Sequence, residues 1–354
     1  MSTAGPFVIG NRTIGDDQPP LVLVEVGINH EGSLDKALQL VDAAVAAGAE
    51  VVKFQCHITE QEMVPTDMTP GAISTEKLWD IIKRCELTAG EERTVQEYCK
   101  SKGVTYLSTP FSREAADRLD EMGVPAFKIG SGECNNIPLL EHIAAKGKPM
   151  ILSTGMNDLS SVRRSVEAIR AFGVPLALMH CTSMYPTPYE NVRLGAVTQL
   201  REQFPGTPIG LSDHSLNIWT CLGAVSLGAS LLEKHFTISR QWPGPDTGIS
   251  IEPTELHDLI EGARAIWQAR GGLKTRLQEE QPVIDFAYAT VVTIAAVKKG
   301  QSFGYDNLWV KRPGTGRILA AELRDVIGRK SLRDIPADVH VQPEDIEGFR
   351  ARSA

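Results

Sequence analysis

The sequence predicts a closed, eight-stranded parallel β/α barrel followed by a small β-rich domain. Three observations predict it. Eight short apolar runs precede residue 240: Leu21–Val26, Glu50–Gln55, Val104–Leu107, Ala126–Gly130, Pro149–Ser153, Leu176–Cys181, Pro208–Ser212 and Ser230–His235. A helix-like stretch follows each run, and parallel neighbours need such crossovers. Each run ends in a polar, charged or metal-capable side chain, and the strand ends are where this architecture places its chemistry.

Taken in order, residues 7–16 read as a short β-ribbon ahead of the barrel. The first helix runs over Ser33–Ala47, with Ser33 as N-cap and Gly48 as its stop. Residues 112–121 repeat the device with Ser112 and Gly123. Residues 158–171 end at Gly173. Residues 253–269 begin on Pro253, a residue suited to the first turn, and end before Gly271–Gly272. Residues 57–90 form an insertion between the second and third strands, read either as a lid over the rim or as a surface excursion. After Gly272 the strand–helix alternation stops. The barrel is therefore assigned to 1–272, a linker to 273–287 and the small domain to 288–354, with strands expected at Thr290–Ala296 and Asn307–Lys311. A unit that short, without disulfides, is marginal alone and gains from docking on another surface.

The chain has 354 residues, 42% hydrophobic and 23% charged, with a net charge of -8. That balance suits a soluble globular protein and argues against nucleic acid as a general partner, since its phosphates want clustered Lys and Arg. No apolar stretch is long enough to span a membrane, and Met1–Gly10 lacks the basic start and apolar core of a secretion signal. The six cysteines (Cys56, Cys85, Cys99, Cys134, Cys181, Cys221) include no CxxC spacing. Reduced cysteines in a cytoplasmic protein are expected.

The strand ends carry the candidate chemistry. His214 and His235 close neighbouring strands, so both can reach one ion. Two imidazoles with open positions beside them suit octahedral Mn²⁺ or Mg²⁺ better than a closed zinc site. Lys53 and Lys128 lie near the ends of the second and fourth strands. Burying an unpaired ammonium is costly, so each is either ion-paired, with Glu25 or Glu133, or part of an anion cradle. Thr109, Ser131, Ser153 and Ser212 add hydroxyls around that cradle. Asp246 follows the eighth strand in a Pro-held turn and reads alone as a turn cap.

Several segments together resemble one family: LVEVGINHEGSLDKA (23–37), VVKFQ (51–55), LSTPFS (107–112), FKIGSGECNN (127–136), ILSTGM (151–156), HCTSMYPTPYE (180–190), GLSDHS (210–215), EKHFT (233–237), PGPD (243–246) and NLWVKRPGTG (307–316). The chain resembles the sialic acid synthases over essentially its whole length. The resemblance implies a (β/α)8 TIM barrel and a C-terminal antifreeze-like (SAF) domain, an α/β architecture throughout the first part. It implies condensation of phosphoenolpyruvate with an N-acylated amino sugar, and a homodimer with swapped C-terminal domains. It places phosphoenolpyruvate among Lys53, Thr109, Lys128, Ser131, Ser153 and Ser212, and a metal on His214 and His235. Glu25 is assigned to the cationic carbon that forms at C2, and Glu133 to substrate binding or proton transfer. The sugar falls to Gln55, Asn135, Ser183, Tyr185 and Asp246, with Arg312 reaching over from the partner subunit. Ser183 stands where an N-acetylneuraminate synthase is expected to have Asn, which leaves legionaminate or a related acid as an alternative product. A Schiff-base aldolase using Lys53 or Lys128, and an inactive carbohydrate-binding barrel, are the rival readings from other classes.

Overall fold

In the computed structural model the described residues are 7–71 and 74–350. Two compact units are present, Met1–Gly271 and Gly272–Ala354. In the first, β1 (Phe7–Ile9) and β2 (Arg12–Ile14) form an antiparallel ribbon. Eight parallel strands follow: β3 (Leu21–Gly27), β4 (Val51–Cys56), β5 (Thr105–Pro110), β6 (Phe127–Ile129), β7 (Met150–Ser153), β8 (Leu176–Cys181), β9 (Ile209–Asp213) and β10 (Leu231–His235). Their order in the sheet is β5-β4-β3-β10-β9-β8-β7-β6. The two ends of that order, β5 and β6, lie side by side and bring the sheet round into the expected barrel.

Strand side chains alternate between the two faces of a sheet, and here the alternation separates two cores. Val22, Val24, Phe54, Phe127, Leu152, Leu178, Leu211 and Leu232 point outward and pack under the helices. Leu21, Leu23, Val51, Leu107, Ala126, Ile151, Ala177, Met179 and Leu231 point inward and fill the lower barrel, closed by Phe7, Ile9 and Ile14 of the ribbon.

The helices start where their caps dictate. Ser33 accepts from the Lys36 amide ahead of Leu34–Ala46, Ser112 from Ala115 ahead of Arg113–Glu121, and Asp158 from Ser161 ahead of Leu159–Arg170. Each satisfies an amide that the first turn leaves without a partner. The helix Pro253–Ala269 matches its expected bounds.

Between β4 and β5 the insertion carries helices Thr59–Glu62 and Leu78–Cys85. It is moored to the barrel: Ile81 and Cys85 pack on Ile28, and Arg84 pairs with Glu31. Gly32, at φ +75°, lets the Arg84 carbonyl approach so closely that no Cβ would fit.

The second unit departs from the expected linker. Residues 278–287 are helical, a 3-10 turn Gln278–Glu280 running into the helix Gln281–Ala287, because Pro282 sits in the first turn where its missing N–H costs nothing. Two antiparallel strands, β11 (Thr290–Thr293) and β12 (Leu308–Lys311), and several isolated bridges enclose a core of Val291, Val297, Phe303, Leu308, Ile318, Val326, Ile335 and Val341. All six cysteines are buried and free. No helix among the described residues is long and apolar enough to cross a membrane.

Candidate active site

Above the apolar floor, the inward positions change character within one or two residues. On β3 the inward series runs Leu21, Leu23, Glu25; on β4 it runs Val51, Lys53, Gln55; on β10 it runs Leu231, Glu233, His235. Parallel registry sets Glu25 beside both Lys53 and His235. Four charged side chains meet there, all essentially sealed from solvent: Glu25, Lys53, Lys128 and Glu233.

Their pairing is specific. The Lys53 ammonium contacts the Glu25 carboxylate at closer than ordinary hydrogen-bond range and lies 3.8 Å from Glu233. It also donates to Thr109 Oγ1 at 3.0 Å. Lys128 lies 3.2 Å from Glu233 and donates to Ser153 Oγ at 2.8 Å. Ser212 Oγ donates to Glu233 at 2.8 Å. Two carboxylates thus face two ammoniums, and the quartet is formally neutral.

The electrostatics follow from burial against pairing. Burial pushes the Glu25 carboxyl up; Lys53 pulls against that push and Glu233 adds to it, and the net displacement is upward. Burial also acts on Glu233, but Lys128 and Lys53 outweigh it and hold that carboxyl down at about 2. Burial disfavours the charged form of Lys53 as well, yet Glu233 and Glu25 together raise it. Lys128 is lowered, chiefly by burial. Of the two carboxylates, Glu25 is therefore the one placed to take up a proton, and Glu233 the permanent counter-ion.

Glu233 is not among the candidates that the sequence singles out. Its signal was available, because it shares a strand face with His235. Glu133, expected beside a lysine, instead lies half-buried on the 3-10 turn Ser131–Glu133 and accepts from Asn136 at 2.5 Å. The second carboxylate between the lysines is Glu233.

His214 and His235 come together, with ring centroids 5.3 Å apart. Tyr185 packs on both, at 4.3 Å from His214 and 6.3 Å from His235. His235 Nδ1 is buried without a hydrogen-bond partner among the described residues, and an Asp246 oxygen lies 3.8 Å away. Burial, with His214 and Lys53 nearby, holds His235 well below its ordinary value, so the ring keeps a free lone pair. No group of three or more His, Cys, Asp or Glu converges as a metal cage among the described residues. Two imidazoles, one with an orphaned nitrogen, fit an open metal site whose other positions belong to water and substrate, and do not fit a closed structural one.

The outer faces of the same two strand ends carry a second ion pair. Lys234 is buried against Asp213 at 2.6 Å, and Asp213 also accepts from Ser215 and Thr220. Each strand end thus holds an inward imidazole and an outward ion, and the ion pair ties the two ends together behind the wall.

The remaining expected residues of the first unit lie at strand ends or on the segments that follow them. Ser131 Oγ accepts from the Gly155 amide at 3.0 Å, and a side chain at 155 would strike both Ser131 and Ser183. Ser183 Oγ lies 3.8 Å from Cys181 Sγ. Asp246 is raised to about 6 by burial. Asn135 is exposed beyond Glu133. Gln55 donates to Glu25 Oε1 at 2.9 Å. Arg312 is exposed on the second unit, directly after β12.

With that geometry in place, comparison with known proteins is decisive. Residues 40–275 match the NeuB family, and residues 288–347 match the SAF domain. The chain belongs to the NeuB family. It is 36% identical to the spore coat polysaccharide biosynthesis protein SpsE of Bacillus subtilis, over 96% of this chain and 97% of that one. It is 35% identical to an N,N'-diacetyllegionaminic acid synthase of Campylobacter jejuni, over 90% and 97%. A crystal structure of an N-acetylneuraminic acid (sialic acid) synthetase from Leptospira borgpetersenii, in complex with citrate, superposes with a TM-score of 0.71 at 33% identity, covering 79% of this chain and 95% of that one. This NeuB-family chain, a TIM barrel followed by a SAF domain, is thus similar over most of its length to proteins named as legionaminic acid and sialic acid synthases.

Proposed function

We propose that this chain condenses phosphoenolpyruvate with an N-acylated amino sugar and water, releasing phosphate by C–O cleavage. The sugar assigned is N-acetylmannosamine and the product N-acetylneuraminate. The observation that carries the reading is the buried quartet with its hydroxyl ring, at the mouth of a barrel whose relatives make such acids.

Lys53 and Lys128, with Thr109, Ser131, Ser153 and Ser212, are arranged to hold the phosphate and carboxylate of phosphoenolpyruvate in a fixed dipolar frame. In the free protein Glu25 and Glu233 neutralise those lysines, so the quartet offers no surplus positive charge to a multiply charged anion. A divalent cation on His214 and His235, Mn²⁺ or Mg²⁺, would supply that charge and polarise the sugar aldehyde as a Lewis acid. C3 of phosphoenolpyruvate attacks the aldehyde carbon. Positive charge then develops at C2 next to Glu25, which also accepts a proton as water adds there. The C2–O bond to phosphate breaks last. Glu133 is assigned to substrate binding or proton transfer at the rim. Gln55, Asn135, Ser183, Tyr185 and Asp246 face the sugar, and Arg312 acts from the partner of a domain-swapped homodimer in the cytoplasm.

Legionaminate is the second reading, favoured by two observations. Ser183 replaces the expected Asn, and the legionaminic acid synthase of C. jejuni is 35% identical over 90% of this chain, against 29% over 95% for the human N-acetylneuraminate-9-phosphate synthase. Phosphate release from phosphoenolpyruvate with Mn²⁺ decides between them. Release with N-acetylmannosamine supports the first reading. Release only with 2,4-diacetamido-2,4,6-trideoxymannose moves the product to legionaminate. Release with neither sugar, or trapping of a lysine by borohydride with pyruvate, overturns the synthase reading.

A further inference from the structure

Behind the quartet a chain of hydrogen bonds leaves the barrel. Gln55 Nε2 donates to Glu25 Oε1 at 2.9 Å. Gln55 Oε1 meets His57 Nε2 at 3.0 Å. His57 Nδ1 meets both oxygens of Glu62, at 2.9 and 3.1 Å. Both outer members are sealed, with side chains 3% and 6% exposed. The His57 ring also stacks on Phe111, 4.5 Å between centroids and 11° between planes. Glu62 closes the short helix that opens the insertion, and that turn is itself tethered by Thr59 to Glu86.

While Glu25 is ionised, the donor and acceptor count leaves one arrangement. A carboxamide has one donating and one accepting end. A carboxylate at Glu25 takes the donating end of Gln55, so the accepting end faces His57. His57 Nε2 must then carry a hydrogen. A proton also lies between Nδ1 and Glu62, whose carboxylate otherwise offers only lone pairs. Freed from His57, the Gln55 amide can turn over and set its carbonyl against Glu25, which removes the donor from Oε1. With Lys53 on one oxygen and Gln55 on the other, Glu25 is oriented from both sides only while the chain is intact.

We infer that His57 and Glu62 are positioning residues for Glu25, acting through Gln55. Neither touches the reacting atoms. The insertion thereby contributes to the site through its first turn. Gln55 acts by aiming a carboxylate, with both ends of its amide already engaged before any sugar arrives. This deepens the synthase reading and rests on it for the kinetic part of its test.

Two measurements decide it. In the free, full-length protein, ¹⁵N spectra of the histidine rings report which nitrogen is protonated. His57 is expected to bear its proton on Nε2, and a bare Nε2 overturns the relay whatever the protein catalyses. In steady-state phosphate release, His57→Phe keeps the stack on Phe111 and removes both donors. It is expected to lower kcat about 10- to 100-fold, with KM for both substrates within about threefold of wild type. Glu62→Leu should match it, while Glu62→Gln, which keeps an acceptor for Nδ1, should stay within about threefold of wild-type kcat. Equal loss in Glu62→Gln and Glu62→Leu, or a loss confined to KM, overturns the proposal, and this pair decides it if His57→Phe does not fold. Absence of turnover in the wild type with either sugar counts against the synthase reading alone, and the ring spectra still decide the relay.

Discussion

The two ends of the barrel interior are built from the same eight strands and share nothing else. At the floor, Leu231 lies among Leu21, Leu23 and Ala177 under the apolar ribbon residues Phe7, Ile9 and Ile14. Two residues on, the same face of β10 carries Glu233 among two lysines and a second carboxylate. The floor is held by area removed from water, which tolerates imperfect geometry and costs in proportion to volume lost. The mouth is held by pairing, which tolerates almost nothing, since each charge is sealed and depends on a named partner. Stability is invested at one end and chemistry at the other.

That contrast can be broken most severely at Glu233. Glu233→Gln leaves two buried ammoniums with one carboxylate between them. We expect about 3 kcal/mol of lost stability and a fall of about 10²- to 10³-fold in phosphate release. Urea unfolding and initial rates measure the two, and near-wild-type values for both would mean the quartet is ornamental. Lys234→Met tests the outer pair. It strands Asp213, whose carboxyl is held below its usual range by Lys234 despite burial. A loss of about 3 kcal/mol is expected, together with weaker Mn²⁺ binding by the free protein, since the pair ties together the strand ends bearing His214 and His235. Unchanged ion affinity would reduce Asp213–Lys234 to a packing feature.

Leu231→Ala sharpens the comparison from the floor. It should cost about 2 to 4 kcal/mol by urea unfolding while leaving kcat of the folded fraction unchanged, because no charged group loses a partner. A kcat loss comparable with that of Glu233→Gln would show that the two ends are mechanically coupled. The smallest effect is expected at Asp16, on the rim of the floor, where a bidentate Arg201 holds the carboxyl below its usual value. A lowered carboxyl stabilises fully above its unfolded value near 3.8 and loses that contribution as pH falls through the folded one. Half-exposed as it is, the pair is worth roughly 0.5 kcal/mol. Asp16→Asn should therefore be slightly less stable than wild type at pH 7, with the gap closing below about pH 3.8; a gap that persists in acid would assign the effect to side-chain hydrogen bonding independent of the charge.

How much of this was legible beforehand depended on whether a feature is local. The strands were legible because an apolar run ended by polar residues is a short-range pattern. Helix starts at Ser33 and Ser112 were legible because a cap bonds its own first turn. Residues 278–287 read as linker because their apolar residues, Val283, Ile284, Phe286 and Ala287, are too few to show a helical period, and of these only Ile284 is buried. Among candidate site residues, Lys53, Lys128, Thr109, Ser153, Ser212, His214 and His235 were singled out at strand ends, whereas Glu233 was not, although it shares a strand face with His235. Glu133 stood beside Glu25 as one possible lysine partner because sequence position alone cannot show that the chain turns off β6 at Gly130 before reaching it.

What the sequence by itself determined is which side chains face inward on each strand and how high up each one sits, since a period of two and a run length settle both. Only the tertiary structure decided which inward side chains meet: Lys53 between Glu25 and Glu233, Lys128 on Glu233, and Gln55 joined to His57 and Glu62. Those partners lie on different strands and on an insertion, and their encounter depends on the relative stagger of neighbouring strands as the barrel closes, a property of the whole ring that no single segment contains.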